Sequence, residues 1–333
     1  MRLITNDIRY FDILLSIMPN YKPSLALRLK ANTISALEQC PVFQYGGFWD
    51  VFYQPPEESS LRCLFRYLFS NLGIKKKVTI ISVHGGVANL TSLPRQDDSI
   101  MVQFSGEMFN VNTEWFDVNL VMADENLNKN VIPIINFATN AHEFDLWHLT
   151  MQPRVLYPLS KKVFCAFIVS NGSCTTRNTV MKKLSTYKKV DSSGRYENNV
   201  GHLAPQDETE YGDTFLPYLQ KYKFTLCFEN CKKANYVSEK LLNAYIAGTI
   251  PIYWGCPNVL KWFNPNAFLY LEDDTEESMN KLIERIIELD KDDTLYEKMY
   301  NEPLIKEIPD IMRLETTRMK IKEVLMKQRP DAF

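Results

Sequence analysis

The chain has 333 residues, a formal net charge of −2 from 38 basic and 40 acidic residues, and a 45% hydrophobic content. That length calls for two domains of roughly 150 residues each, and the hydrophobic content fills two cores, which excludes a disordered chain. The balanced charge provides no global field for nucleic acid or an anionic membrane, so no nucleic-acid partner is expected and any anion site must be local.

From the N-terminus, Asp7, Arg9 and Asp12 interrupt the first apolar pattern, which therefore fits neither a signal-peptide core nor a membrane span. No later stretch reaches about 18 uninterrupted apolar residues, so the sequence as written reads as cytoplasmic, without a transmembrane segment. Short apolar runs at 78–83, 100–104, 118–122 and 131–135 suit strands buried on both faces of a parallel sheet. The basic run 75–77 reads as a solvated entrance to the first of them. The run 100–104 continues into Ser105, Gly106 and Glu107, placing a carboxylate just past the carboxyl end of a strand.

The second half repeats the alternation. Strands are expected at 163–169, 224–228, 250–253 and 268–271, with helices at 176–184 and 237–247. Gly248 stands where a helix C-terminal glycine belongs, and Thr275 is an N-cap for an apolar helical face formed by Met279, Leu282, Ile283, Ile286 and Leu289. A last helical segment covers 311–326. Alternating strands and helices in both halves predict two doubly wound, Rossmann-like α/β domains facing a cleft, with ligands at the carboxyl ends of the strands. The expected division is 1–160 for the acceptor side, 161–300 for the nucleotide side, and 301–333 for a helical segment packing back on the first domain.

Seven cysteines at irregular spacing do not read as a disulfide framework, and neither they nor the four histidines show metal-ligand spacing. Neither GxGxxG nor a Walker phosphate loop occurs, so phosphate recognition must use other devices. Two strand-to-helix junctions supply candidates: NGSCTTR puts Arg177 in the opening turn of one helix, and ENCKKANYVSEKL puts Lys240 in the opening turn of another. A cation there opposes the helix dipole, and becomes favourable when a bound anion faces the free N–H groups. Two such junctions suit a diphosphate; two solvated surface cations are the plain alternative. Glu229 and Glu239 flank the second junction, where a carboxylate is able to accept from ribose or sugar hydroxyls, and Tyr236 either covers a ligand or packs as core. A partly buried Glu107 suits a general base, or else a loop residue capping a neighbouring helix.

The stretch YKFTLCFENCKKANYVSEKLLNAYIAGTIPIYWGCPNVLKWFNPNAFLYLED, from Tyr222 to Asp273, resembles the donor-binding signature of the family 10 α-1,3/4-fucosyltransferases. FIVSNGSCTTRN and YKKVDSSGRYENNVG resemble the segments that precede it in bacterial members, and FSGE at 104–107 resembles their FTGE. The resemblance implies a GT-B arrangement and an inverting transfer of L-fucose from GDP-fucose. The expected product is an α-1,3-fucoside on O3 of GlcNAc in a glycan such as N-acetyllactosamine. It implies that Arg177 and Lys240 neutralise the diphosphate, that Asn230, Tyr236 and Glu239 contact the nucleotide sugar, and that Glu107 is the general base. No metal or other cofactor is expected. Met108 stands where Asn is usual after the FSGE glutamate, and Ser238 where Thr is usual, keeping the hydroxyl. The alternatives are a GT-B transferase using another nucleotide sugar, or an inactive carbohydrate-binding relative.

Overall fold

The computed structural model describes residues 65, 67–69, 72–82, 99–105, 114–123, 127–143, 146–154, 157–205 and 214–333, and the backbone of 43–47. Two five-stranded sheets, both parallel throughout, organise them.

The first sheet has the order β1 (Phe43–Gly47), β2 (Lys77–Ser82), β3 (Ser99–Ser105), β4 (Val118–Val121) and β5 (Val131–Pro133). All residues of β3, β4 and β5 are buried, as continuous apolar runs in a doubly covered parallel sheet require.

The second sheet is built from β6 (Val163–Phe167), β7 (Val190–Ser192), β8 (Tyr222–Leu226), β9 (Ile250–Tyr253) and β10 (Leu269–Tyr270). Their order across the sheet is β10-β9-β8-β6-β7. The chain leaves β6 toward β7, then crosses back to place β8 on the opposite side of β6. The β6–β8 pair is therefore the topological switch point, where successive crossovers turn in opposite directions and leave a crevice above the strand ends.

Eight helices are described. They are α1 (Asn136–Glu143), α2 (Trp147–Thr150), α3 (Thr175–Ser185), α4 (Phe215–Gln220), α5 (Glu239–Ile246), α6 (Glu276–Lys291), α7 (Asp293–Tyr300) and α8 (Leu314–Gln328). Thr275 caps α6 by accepting from the Ser278 amide at 3.2 Å, and Gly248 follows α5 at φ +76°, where an L side chain is strained. The carbonyls at the end of α5 are held by a buried arginine and a partly buried lysine. Arg154 donates to Tyr245 O at 3.0 Å, to Thr249 O at 2.5 Å and to Tyr300 O at 2.8 and 3.0 Å, with its guanidinium between the rings of Tyr245 and Tyr300. Lys162 Nζ donates to Gly248 O at 2.7 Å. Positive charge at a helix C-terminus complements its dipole, so α5 is pinned from behind and its N-terminus has a fixed aim.

The chain passes between the two halves twice. Directly after β5, Ile135, Phe137, Ala138, Ala141, Trp147 and Leu149 enter the core of the second sheet and pack with Leu241, Leu242 and Tyr245 of α5. At the far end, Ile321 and Leu325 of α8 return to the core of the first sheet with Val102, Val118, Leu120 and Ile132. Arg329 locks this return by pairing with the buried Asp117 at 2.9 Å, while the Lys75 amide donates to Ala332 O at 2.7 Å.

Leu325→Ala removes a fully buried side chain from the first core only. It is expected to cost about 2–5 kcal/mol there. Amide hydrogen exchange should accelerate in β4 and β5 and stay unchanged in β6 and β8; uniform acceleration would contradict this packing.

Candidate functional site

The site is built where β6 and β8 end. Beyond β6, residues 168–174 lead into α3, whose third residue is Arg177. Beyond β8, Cys227, Phe228, Glu229 and Asn230 lead through 231–238 into α5, whose second residue is Lys240. Both junctions read from the sequence thus open onto the single switch-point crevice.

Arg177 is 3% exposed, which rules out a solvated surface cation. Its guanidinium donates to Asn230 Oδ1 at 2.8 Å and to the Asn171 carbonyl. Both partners are neutral, its Nε is buried without a partner, and among the described residues it forms no ion pair. Burial lowers its pKa from the ordinary value, while Cys174, Tyr236 and Glu229 act in the opposite sense. A buried guanidinium held in place by neutral acceptors is suited to receive an anion, because transferring its charge from water costs free energy that these partners recover only in part.

Lys240 is partly buried. Its Nζ lies 3.1 Å from Ser238 Oγ, 3.4 Å from Glu229 Oε2 and 3.7 Å from Glu239 Oε1. Glu229 has no accessible surface. It accepts from the Ser238 amide at 2.7 Å and the Ser238 hydroxyl at 2.8 Å, with the Tyr253 hydroxyl oxygen 3.4 Å away. Burial raises the Glu229 pKa, and Lys240 followed by the Ser238 amide pull it back. The sequence left Glu229 available to sugar hydroxyls. The structure corrects this: its carboxylate is committed to protein donors and has no face toward a ligand.

Asn230 is exposed beside Arg177. Glu239 is half-buried and accepts from Asn136 Nδ2 at 3.4 Å, across the junction between the two halves. The Tyr236 ring is completely buried, with its carbonyl accepting from the Tyr253 hydroxyl at 2.9 Å. Asn235 sets its direction. This residue is left-handed at φ +63°, is bracketed by Asn258 through bonds of 2.7 and 3.0 Å, and donates to Ala123 O of the first half at 2.6 Å. The structure therefore joins Arg177 to Asn230 and Lys240 to Glu239, with Tyr236 between them in the chain. Glu107 lies outside the described residues; Ser105, the last residue of β3, is buried two positions before it.

Gly255 and Asn235 were not singled out from the sequence as parts of the site. Gly255 lies just after β9 at φ +140°, and a Cβ there would lie 2.5 Å from Glu229 Cβ. The glycine is required both by its backbone angle and by the approach of Glu229. A usable signal was the PIYWG stretch itself, a glycine directly after a buried strand.

Two parallel five-stranded α/β units, the second with Arg177 and Lys240 near its strand switch point, form a GT-B-like fold. The fold matches a crystal structure of an α1,3-fucosyltransferase with GDP-fucose, with a TM-score of 0.64 and 21% identity, covering 86% of this chain and 90% of that one. Residues 158–303 match the profile of glycosyltransferase family 10 (fucosyltransferase), C-terminal region, which bears out the resemblance read from the sequence. Similar relatives include the Helicobacter pylori alpha-(1,3)-fucosyltransferase FucT, 38% identical over 113 residues, 34% of this chain and 22% of that protein. A putative fucosyltransferase of Acanthamoeba polyphaga mimivirus is 34% identical over 154 residues, 44% of this chain and 25% of that protein. GDP-fucose protein O-fucosyltransferase 3 of Danio rerio is 31% identical over 189 residues, 53% of this chain and 40% of that protein. The chain thus spans well under half the length of the curated relatives it matches. Among the described residues, no helix is long and apolar enough to cross a membrane.

Arg177→Met keeps the bulk of a buried side chain and removes its unpaired charge. Its thermal midpoint should be unchanged or higher, while affinity for GDP falls roughly 10-fold to 100-fold, the range of a lost charge-assisted hydrogen bond. A lower midpoint with unchanged GDP affinity would make Arg177 a structural residue.

Proposed function

We propose that the protein is an inverting fucosyltransferase that moves L-fucose from GDP-β-L-fucose to an acceptor hydroxyl and leaves an α-fucoside. The observation that carries this reading is the buried Arg177. It is held by neutral groups at the β6–β8 switch point, inside the segment that matches the fucosyltransferase family profile.

In the proposed reaction the acceptor oxygen forms a bond to the fucose anomeric carbon from the face opposite the diphosphate. The bond from that carbon to the β-phosphate oxygen breaks, its electron pair goes to GDP, and the acceptor proton goes to Glu107. Negative charge grows on the diphosphate as the bond breaks. Arg177 and Lys240 are placed to meet it before the reaction begins, which is where preorganised charge lowers a barrier most. Asn230 and Glu239, which retain accessible surface, complete the donor side, while the completely buried Tyr236 ring supports them from the core instead of contacting the nucleotide sugar. Because the two cations supply the neutralisation, a divalent metal is not required, and turnover should persist in excess EDTA.

Two acceptor classes follow from the relatives. The family's usual acceptor supports O3 of GlcNAc in an N-acetyllactosamine-type glycan. The similarity to protein O-fucosyltransferase 3, which covers more of this chain than the bacterial match, favours a protein hydroxyl as the second reading.

Glu107→Gln should lower the rate of fucose transfer by about 10²-fold to 10⁴-fold with little change in GDP affinity, the signature of a lost general base. The measurement is initial-rate transfer from labelled GDP-fucose to glycan and protein acceptors, paired with calorimetric GDP binding. An unchanged rate removes Glu107 from the mechanism.

A further inference from the structure

Arg177 and Lys240 lie on different helices, yet two consecutive residues after β8 hold them both. Asn230 takes the Arg177 guanidinium at 2.8 Å, and Glu229 takes the Lys240 ammonium at 3.4 Å. We infer that Glu229 is a positioning residue for the site, a buried carboxylate that fixes Lys240 in the geometry a diphosphate needs. The inference rests on the donor-site reading above.

The hydrogen-bond directions leave little freedom. Ser238 Oγ carries one proton and gives it to Glu229 Oε2 at 2.8 Å, so toward Lys240 Nζ at 3.1 Å the same oxygen accepts. Lys240 is consequently gripped by one carboxylate along two routes, directly and through the Ser238 hydroxyl. The other carboxylate oxygen takes the Ser238 amide at 2.7 Å and so fixes the N-cap residue of α5. An ionised carboxylate accepts at both oxygens, whereas a neutral amide turns one of them into a donor. In either orientation, an amide at 229 would face Ser238 or Lys240 with an N–H where an acceptor is required.

Glu229 has a cost that the fold alone gives no reason to bear. It has no accessible surface, and replacing a buried ion pair by apolar groups is often neutral or stabilising. The backbone is also shaped around it, since Gly255 at φ +140° leaves no room for a Cβ against Glu229. What the carboxylate supplies is order in a flexible cation. Lysine has a long stem with four rotatable bonds, and fixing it in advance removes reorganisation from the binding and transfer steps.

The test is a double-mutant cycle read as the Kd for GDP by isothermal titration calorimetry, on the full chain, with Glu229→Gln, Lys240→Ala and their combination. GDP binding needs no knowledge of the acceptor. Each single change should weaken GDP about tenfold or more, and the double variant should equal Lys240→Ala within about twofold, because Glu229 acts through Lys240. Losses that multiply in the double variant would assign Glu229 a role independent of Lys240 and overturn the inference. So would a Glu229→Gln protein that binds GDP normally. If Glu229→Gln does not fold, the same cycle with Ser238→Ala decides the matter, since that change removes the hydroxyl route and keeps the amide bond. Should Lys240→Ala itself leave GDP affinity unchanged, the donor-site reading fails, and that result is distinct from a cycle in which only the coupling is absent.

Discussion

The structure depends on the reversal of strand order between β6 and β8. A parallel sheet whose crossovers all run in one direction covers its strand ends with consecutive loops. Where the direction changes, the two loops part and a crevice opens. The cation side of the candidate site follows from that opening. Arg177 reaches it from the loop after β6, Glu229 and Asn230 from the loop after β8, Lys240 from the helix that follows, and Gly255 borders it from β9. Three segments converge because the strands that precede them, β6, β8 and β9, are neighbours in the sheet.

Charge in the crevice is arranged at the expense of local comfort. Arg177 is buried against neutral acceptors, and Lys240 stands in the first turn of α5, where the helix dipole disfavours it. Glu229 and Glu239 offset Lys240, and Arg154 and Lys162 hold the opposite end of the same helix. The result is a rigid helix with its N-terminus directed toward a fixed pair of cations. Such an arrangement is poorly explained as a device for stability and is what the proposed diphosphate site calls for.

Much of this was legible in the sequence, for physical reasons. Strands buried on both faces leave uninterrupted apolar runs, so β2, β3, β6, β8 and β9 were placed within a few residues. Caps leave chemical marks, so Thr275 and Gly248 were read correctly. Arg177 and Lys240 were found because a cation in a first helical turn contradicts the dipole rule. The short β7 and the helices α1, α4 and α7 were not read, because three residues of strand or about two turns of helix carry too little periodicity to stand out. Glu229 was misread for another reason. A carboxylate at a strand end looks the same in sequence whether it faces a ligand or the protein, and only packing shows Ser238, Tyr253 and Gly255 closing around it. The strand order was also invisible, so the convergence of the two cation junctions on one crevice emerged only with the fold.

The most direct measurement is thermal unfolding of the protein with GDP, GDP-fucose, GDP-mannose and UDP-galactose, each at the same large excess over its expected Kd. A ligand that binds only the folded state at a hundred times its Kd stabilises by about 2.7 kcal/mol, a readily measured shift. Stabilisation by GDP and more strongly by GDP-fucose, with little from UDP-galactose, is the predicted result. No shift with GDP, or an equal shift with UDP-galactose, would contradict a guanosine diphosphate site at the β6–β8 crevice.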